Sequence, residues 1–466
     1  MKRTLKPFLF IFNLLSLLLG IVHLLRVRSA RGMALRSIKS FSEALAPFLG
    51  LAGAASAFFS LLLGFRFSAL IGAAGALLQG RYVRCVSSPH TGFEACFGAD
   101  WQEHISEAQR RRWLQHRWTW RMPAQLPEPR WTRDIVYHTV SDRQSSLSRK
   151  EGMDDGEDRL DLHCDLWQPS SNVPTTGTAL IYIHGGGYFT SRKDFGTRAF
   201  FRHLAEQGHV VMDIDYRLAP RVDIFEMLHD VQHAIVWMKA NAEWFGADPQ
   251  RIVLAGGSAG AHLALLAAYA RDQSRLRAID LQDADLSVRA VISYYGMIDL
   301  PAAYHSLQTF FALAPDSRKL PENVLDSLLA GKFIELAAWM RNVDAASMRE
   351  YLRENQGLMY AGLKNSMTRL VGGTPDEIPD IYQLISPITY AGPGCPPTLL
   401  LQGEHDYLLS PEPARALYQK LRSSGVPAVY VELPQTEHTF DLFLPEVSPP
   451  AQAALYDVDR FLSLVG

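Results

Sequence analysis

The stretch from Ile252 to Tyr269 constrains the fold of this chain more than any other. Ile252–Ala255 is a short apolar run of the kind that forms a strand buried on both faces. Gly256-Gly-Ser-Ala-Gly260 follows, and small or apolar residues then continue without Pro or Gly, which predicts a helix. A strand, a tight glycine turn and a helix would present the Ser258 hydroxyl at the helix N-terminus. The stretch therefore predicts a nucleophilic serine, with an ordinary strand-to-helix turn as the alternative.

Strands and helices alternate through residues 134–466, which predicts an α/β fold with a mainly parallel sheet and helices on both faces. Helices are predicted over Ile224–Phe245 and Ala451–Leu464, and a polar loop over residues 141–158. The predicted strands are Asp134–Val140, Arg159–Trp167, Thr178–Ile183, Val210–Asp215, Ile252–Ala255, Ala290–Tyr295, Pro397–Gly403 and Ala428–Leu433.

The alternation stops between residues 300 and 393, where the pattern is mostly helical and rich in Leu, Met and Tyr. An insertion of this length near the strand ends predicts a lid or cap over the site. A structural excursion without contact to the substrate is the alternative.

Two polar side chains follow the last two strands, at the sheet end that also carries Ser258. Asp406 comes after Pro397–Gly403, and His438 comes after Ala428–Leu433. The order serine, aspartate, histidine is that of α/β-hydrolases and differs from the order in other serine hydrolases. We therefore predict a catalytic triad of Ser258, Asp406 and His438.

Other side chains compete for two of these roles. Glu404 could replace Asp406, and His405 or His262 could replace His438. His262 lies inside the predicted helix after the serine, where a packed side chain is the simpler interpretation. His405 directly precedes Asp406 and is too close to it in sequence to serve as its triad partner.

Three consecutive glycines follow the predicted strand Thr178–Ile183, in His184-Gly-Gly-Gly187. Glycines leave backbone N–H groups uncovered, and such groups can bind a developing negative charge in a dry site. A flexible glycine loop is the alternative, but the preceding strand and the flanking histidine favour a binding loop.

Long uncharged runs dominate the N-terminus and predict a transmembrane region over residues 1–80. Residues 7–25 contain no Asp, Glu, Lys or Arg, and as a helix they would extend about 28 Å, the thickness of the hydrocarbon layer. Ala44–Phe65 and Phe67–Gly80 are two further uncharged runs. We expect three spans, with two spans and a re-entrant or interfacial third run as the alternative. A signal peptide fits less well, since the first run is long and further apolar runs follow.

The charge is unevenly distributed along the chain. Residues 1–133 hold 18 Lys and Arg against 6 Asp and Glu, whereas the remainder holds 28 against 42. A basic end on an acidic body indicates membrane lipids as partners and argues against nucleic acid, which the body would repel. Basic residues lie on both sides of the first apolar run, so the membrane face of the body stays open. The oligomeric state stays open too.

Residues 81–133 are predicted to be a juxtamembrane linker. Gln109–Arg121 mixes Arg with Trp, a pairing favoured at lipid headgroups, so we expect membrane contact; a helix packed on the body is the alternative. Three prolines then predict a break in the helix, at Pro123, Pro127 and Pro129. The four cysteines form no Cys-x-x-Cys pair, so no zinc site is expected, but Cys85 and Cys96 could form a disulfide.

Taken together, these motifs resemble the hormone-sensitive-lipase-like branch of the α/β-hydrolase superfamily. The resemblance implies carboxylic-ester hydrolysis through an acyl-enzyme, without a metal or organic cofactor. It also implies an oxyanion hole formed by the N–H groups of Gly186, Gly187 and Ala259, with His184 and Gly185 in the supporting loop. The similar motifs are His184–Gly187, Asp215–Pro220, Gly256–Gly260, Tyr295-Gly296, Ser386-Pro387, Asp406 and His438, in the expected order.

Two positions depart from that branch. Its members commonly carry Asp or Thr before the nucleophile, where this chain has Gly257, and Gly after the motif, where it has Ala261. In this respect the chain is similar to carbohydrate-acetyl and feruloyl-type esterases, so the acyl length stays open. The expected substrate is a small-molecule or lipid ester: an anchor and an apolar lid favour lipophilic esters, although an anchor could also position an enzyme for short acyl groups. Amide hydrolysis and a non-catalytic interaction module are the alternatives.

Overall fold

The computed structural model describes residues 2–28, 33–122, 127–140, 159–312, 334–335, 338–339, 341, 343–354 and 366–466. The predicted loop at 141–158, part of the proline-containing linker and much of the predicted lid lie outside the described residues. The described parts of the lid region are mainly helical, in agreement with the sequence pattern.

Three N-terminal helices precede an α/β body. They are α1 (Lys2–Val22), α2 (Met33–Leu62) and α3 (Arg66–Val86). The strands are β1 Arg130–Val140, β2 Leu160–Gln168, β3 Gly177–Ile183, β4 Val210–Ile214, β5 Ala247–Gly257, β6 Ala290–Tyr294, β7 Thr398–Gly403 and β8 Ala428–Leu433. The other helices are Gly92–Phe97, Glu107–Arg110, Arg198–Glu206, Ile224–Phe245, Ala259–Tyr269, Leu300–Phe311, Ala345–Glu354, Ser366–Val371, Pro379–Leu384, Glu412–Ser423 and Pro449–Val465.

The eight strands form one sheet in the order β1-β2-β4-β3-β5-β6-β7-β8. Strand β2 is antiparallel to both of its neighbours, and the pairings from β4 to β8 are parallel. The predicted mainly parallel sheet is therefore confirmed. Because β3, β5, β6, β7 and β8 point the same way, the loops at their C-terminal ends meet at one edge, where ligands bind in such sheets.

The sheet lies between two apolar cores, and its central strands contribute side chains to both. In β3, Ile181 and Ile183 face one core, whereas Leu180 and Tyr182 face the other, as expected for side chains that alternate along a buried strand. The helices Ile224–Phe245 and Ala259–Tyr269 pack into the first core, and Arg198–Glu206 and Pro449–Val465 pack into the second. The predicted helices on both faces of the sheet are thus present.

The N-terminal helices α1, α2 and α3 pack on one another. Asn13 Nδ2 on α1 donates to Ser60 Oγ on α2 at 3.0 Å and to the Ser68 carbonyl on α3 at 3.0 Å. By length and composition, α1 over Leu5–Val22 and α2 over Leu35–Leu62 could each cross a membrane. The third predicted span corresponds to α3, a regular helix that is less apolar than the other two.

The C-terminal end of α3 and the segment after it pack on the body. Tyr82, Val86 and Trp113 are buried in the core that contains Val458 and Phe461 of the C-terminal helix. The predicted headgroup contact is therefore wrong for Trp113, and also for Arg117, which forms a buried ion pair of 2.6 Å with Asp457. The four cysteines, all of them in described parts of the chain, are free, so Cys85 and Cys96 do not pair.

Candidate active site

Ser258 lies at a sharp turn between β5 and the helix Ala259–Tyr269. Its backbone has φ 54° and ψ −117°, a conformation that non-glycine residues rarely adopt. The Ser258 N–H donates to the Tyr294 carbonyl at 2.9 Å, and the Ser258 carbonyl accepts from the His262 N–H at 3.0 Å. Because both backbone groups are held, the side chain is presented at the C-terminal end of the sheet.

Glycines flank the serine because the helix crosses β3 at very short range. A Cβ atom on Gly260 would lie 2.0 Å from the Ile183 carbonyl oxygen, and one on Gly256 would lie 2.5 Å from the Gly260 carbonyl carbon. At Gly257 a Cβ atom would lie 3.2 Å from the Tyr295 hydroxyl oxygen. The tyrosine occupies the space beside the serine turn, which gives a physical reason for the departure from Asp or Thr at position 257.

Ser258, His438 and Asp406 form a continuous hydrogen-bonded series. His438 Nε2 is 3.1 Å from Ser258 Oγ, and His438 Nδ1 is 2.7 Å from Asp406 Oδ2. Since a carboxylate only accepts, Nδ1 carries the proton and Nε2 is free to accept the serine proton. The imidazole and the carboxylate are both buried.

The Asp406 carboxylate is oriented by several donors besides His438. Its Oδ1 accepts the backbone N–H groups of Leu408 at 3.0 Å and Leu409 at 2.9 Å, and its Oδ2 accepts from Gln402 Nε2 at 2.9 Å. These bonds fix the carboxylate plane, so Oδ2 faces the imidazole.

The competing side chains have other partners. Glu404 accepts from Arg26 at 2.9 Å and from the Gln435 N–H at 2.9 Å. His405 Nδ1 contacts Lys39 Nζ at 2.9 Å, and burial together with that ammonium lowers the pKa of His405 to about 4. His262 donates from Nε2 to the Ile385 carbonyl at 2.7 Å and, being buried, has a pKa lowered to about 4. None of these three side chains is hydrogen-bonded to Ser258 Oγ, which His438 contacts instead.

The glycine loop lies against the serine turn. Gly186 has φ 121° and Gly187 has φ 62°, and a Cβ atom on Gly185 would lie 2.8 Å from the Gly257 carbonyl oxygen. His184 donates from Nδ1 to the Gly185 carbonyl at 2.8 Å, and burial lowers the pKa of this histidine. Ala259 begins its helix, where backbone N–H groups lack intrahelical acceptors. The predicted donors Gly186, Gly187 and Ala259 therefore belong to two segments that meet at Ser258.

Some residues near the site carry no recognisable sequence signal. The Tyr295 ring lies 4.5 Å from the His438 ring, and its hydroxyl donates to Asp441. Burial raises the pKa of Asp441 to about 6. In the sequence, Tyr295 stands out only as part of the Tyr295-Gly296 motif, and Asp441 is one of many carboxylates near the chain end. No local pattern indicates that Tyr295 packs against His438 or that Asp441 accepts its hydroxyl.

A cavity of about 440 Å³ lies beside the Asp406 loop. Its lining includes Arg26 and Arg28 after α1, His305 and Phe310 of the helix Leu300–Phe311, and Tyr407. Across the described ranges of the chain, no group of three His, Cys, Asp or Glu side chains is arranged to hold a metal ion.

Comparisons with known proteins place these features in a wider context. Residues 164–355 and 342–421 match the family model BD-FAE. Among curated proteins, the chain is 30% identical over 305 residues to the probable carboxylic ester hydrolase LipM of Mycobacterium tuberculosis, covering 65% of this chain and 58% of LipM. It is 28% identical over 288 residues to esterase LipC of the same organism, covering 62% of this chain and 59% of LipC. The chain thus spans somewhat over half of the length of these relatives.

A solved structure also aligns with the chain, the butyrate-bound Est2 esterase of Thermogutta terrifontis. The sequence identity is 22% and the TM-score 0.46, over 66% of this chain and 90% of the esterase.

Replacement of Gly260 by Ala tests the close crossing at the serine turn. The new Cβ atom would overlap the Ile183 carbonyl oxygen, so we expect Gly260→Ala to lower the free energy of unfolding by about 1–3 kcal/mol or more. Gly394→Ala is the control, because a Cβ atom there has no neighbour within 4 Å. Urea denaturation measures both, and equal stability of the two variants would contradict the proposed steric constraint.

Proposed function

This chain belongs to the BD-FAE family of α/β-hydrolases, and we propose that it is a membrane-anchored serine hydrolase that cleaves carboxylic esters. The observation that carries the proposal is the hydrogen-bonded series from Ser258 Oγ through His438 to Asp406. Relatives named as a carboxylic ester hydrolase and as an esterase support the same reaction class.

The reaction follows from the geometry of the three side chains. His438 Nε2 removes the hydroxyl proton while Ser258 Oγ forms a bond to the ester carbonyl carbon. The carbonyl π electrons move to the oxygen, and the tetrahedral intermediate then expels the alcohol, which takes the proton from His438. Water attacks the resulting acyl-enzyme with His438 again as the base, which releases the acid and restores the serine. Asp406 accepts the hydrogen bond from His438 Nδ1–H throughout and stabilises the imidazolium.

The negatively charged oxygen of the intermediate accepts hydrogen bonds from the N–H groups of Gly186, Gly187 and Ala259. These groups belong to the glycine loop and to the start of the helix after the serine, and the partial positive charge of a helix N-terminus adds to the stabilisation. Loss of one such donor typically raises the barrier by about 3 kcal/mol. His184, stacked on the Tyr216 ring at 4.4 Å, supports the loop from behind.

Membrane anchoring is proposed from the outer surfaces of the N-terminal helices. Large apolar side chains on them are exposed, among them Phe8 at 65%, Phe58 at 58% and Leu62 at 66%. Such a surface is unfavourable in water and favourable in lipid. The buried bonds from Asn13 to α2 and α3 support retention of α1, since a cleaved signal peptide would leave them unmade. An anchor beside the active site favours small-molecule or lipid esters that partition into the bilayer.

Replacement of Ser258 by Ala tests the nucleophile. We expect the detergent-solubilised full chain to hydrolyse esters in a series from acetyl to palmitoyl, and Ser258→Ala to fall to the uncatalysed background, because no other group would form the acyl-enzyme. The initial rate of acid release measures both. Equal rates would contradict the assignment of Ser258, and silence of the wild type across the whole series would favour amide hydrolysis or a non-catalytic module.

Two carboxyls in one loop allow a matched test of the triad acid. Asp406→Asn should lower kcat by about 10⁴-fold, because the amide favours the wrong histidine tautomer. Glu404→Gln is the control and should cause a far smaller loss, because Glu404 contacts Arg26 and not His438. A larger loss in Glu404→Gln than in Asp406→Asn would reverse the assignment.

Membrane insertion is tested by extraction of cell membranes with alkaline carbonate and with detergent. The full chain should remain in the carbonate pellet and be released by detergent, since α1 and α2 are held by apolar contact with lipid. Phe58→Arg combined with Phe59→Arg should weaken retention, whereas Trp244→Arg, an exposed aromatic on the body, should not. Carbonate release of the wild type, or a mature N-terminus beyond α1, would overturn the proposed anchor.

A further inference from the structure

Lys39 is a charged residue in an apolar helix, and its side chain is completely buried at 0% exposure. Its ammonium nitrogen lies 2.7 Å from Glu437 Oε1, 2.9 Å from His405 Nδ1 and 2.8 Å from the Leu25 carbonyl oxygen. Burial of an ammonium is costly unless specific partners compensate it. A charged residue in a helix that could span a membrane is by default a candidate functional residue.

The two side chains that Lys39 contacts in the body are the immediate neighbours of proposed catalytic residues. His405 directly precedes Asp406, and Glu437 directly precedes His438. One ammonium from the N-terminal region therefore connects the loop of the triad acid with the loop of the triad base. The backbones of the two loops are also joined, by the His405 N–H and the Thr436 carbonyl at 2.9 Å.

The His438 loop is strained, so its shape depends on external contacts. Gln435 and Thr439, on either side of the histidine, have φ of 56° and 61°, in a region that costs about 1–3 kcal/mol for a non-glycine residue. Arg36, one helical turn before Lys39, donates to Thr439 Oγ1 at 3.2 Å, and its guanidinium lies 4.4 Å from the Tyr407 ring centroid. The N-terminal end of α2 thus contacts both loops, through Arg36 and Lys39.

We propose that Lys39 is a positioning residue for the triad, so that the N-terminal helical region is part of the catalytic unit as well as an anchor. This inference rests on the proposed serine hydrolase function. Lys39 touches neither substrate nor reacting atoms; it acts by holding the Glu437 and His405 side chains together. With the two loops held, the bond of 2.7 Å between His438 and Asp406 and the contact of 3.1 Å between His438 and Ser258 are maintained.

The test measures the rate at which a fluorophosphonate probe labels Ser258 in the detergent-solubilised full chain, together with kcat and KM on the preferred ester. Lys39→Met should lower both the labelling rate and kcat by about 10- to 100-fold, the loss typical of a small misalignment of reacting groups, with KM within about threefold. Lys239→Met is the control, because it removes another ion-paired lysine, bound to Asp285 at 2.6 Å and remote from the triad. It should leave all three values within about twofold.

Thermal unfolding of the same samples separates positioning from stability. Lys39→Met leaves two buried carboxyls without their cation, Glu437 at 2.7 Å and Glu43 at 3.9 Å from the ammonium. A second variant therefore combines Lys39→Met with Glu437→Gln, which removes the charge of the nearer carboxyl. We expect this double variant to regain much of the thermal stability while its labelling rate stays at least about tenfold below that of the wild type. If Lys39→Met alone does not fold, the labelling rate of the double variant tests the positioning role instead.

The outcomes distinguish this inference from the proposed function. Labelling of either folded Lys39 variant at the wild-type rate would overturn the positioning role and leave the serine hydrolase intact. A loss that disappears in the double variant would likewise assign Lys39 a structural role only. Absence of labelling in the wild type would overturn the proposed function itself, and the inference with it.

Discussion

The structure depends on the close crossing of the helix Ala259–Tyr269 over strand β3. At Gly260 the helix backbone comes so near to the Ile183 carbonyl that no side chain fits. This contact allows the turn to bring the chain from β5 into the helix within one residue, and that residue, Ser258, adopts the unusual φ of 54°. A less crowded crossing would let the turn relax and would move the hydroxyl away from the edge of the sheet.

The parallel register of the sheet then decides what meets the serine. Because β7 and β8 run parallel to β5 and β6, their loops end at the same edge, and Asp406 and His438 come within hydrogen-bonding range of each other and of Ser258. The carboxylate gains its orientation from backbone N–H groups in its own turn. The sheet therefore determines where Asp406 and His438 lie, and the loop after β7 determines how the Asp406 carboxylate is oriented.

The N-terminal region is joined to this site by both apolar and polar contacts. Tyr82 and Val86 of α3 share a core with Phe461 of the C-terminal helix, while Lys39 on α2 contacts the loops that carry Asp406 and His438. Contacts of both kinds cross the boundaries near residues 80 and 133 that composition suggests. The same helices expose large apolar side chains on their other side, which we propose faces lipid.

Local patterns in the sequence were sufficient for much of the fold. The helix Ile224–Phe245 has the predicted bounds because Asp223 forms a capping box at its start and Gly246 adopts φ 81° at its end. The strands are recognisable as apolar runs, and Ser258, Asp406 and His438 each lie within five residues of the end of one. Only the tertiary structure decided how Lys39, Tyr295 and Trp113 are used. Their surroundings come from segments distant in the sequence, and burial at such a contact depends on how whole helices dock, which no local pattern encodes.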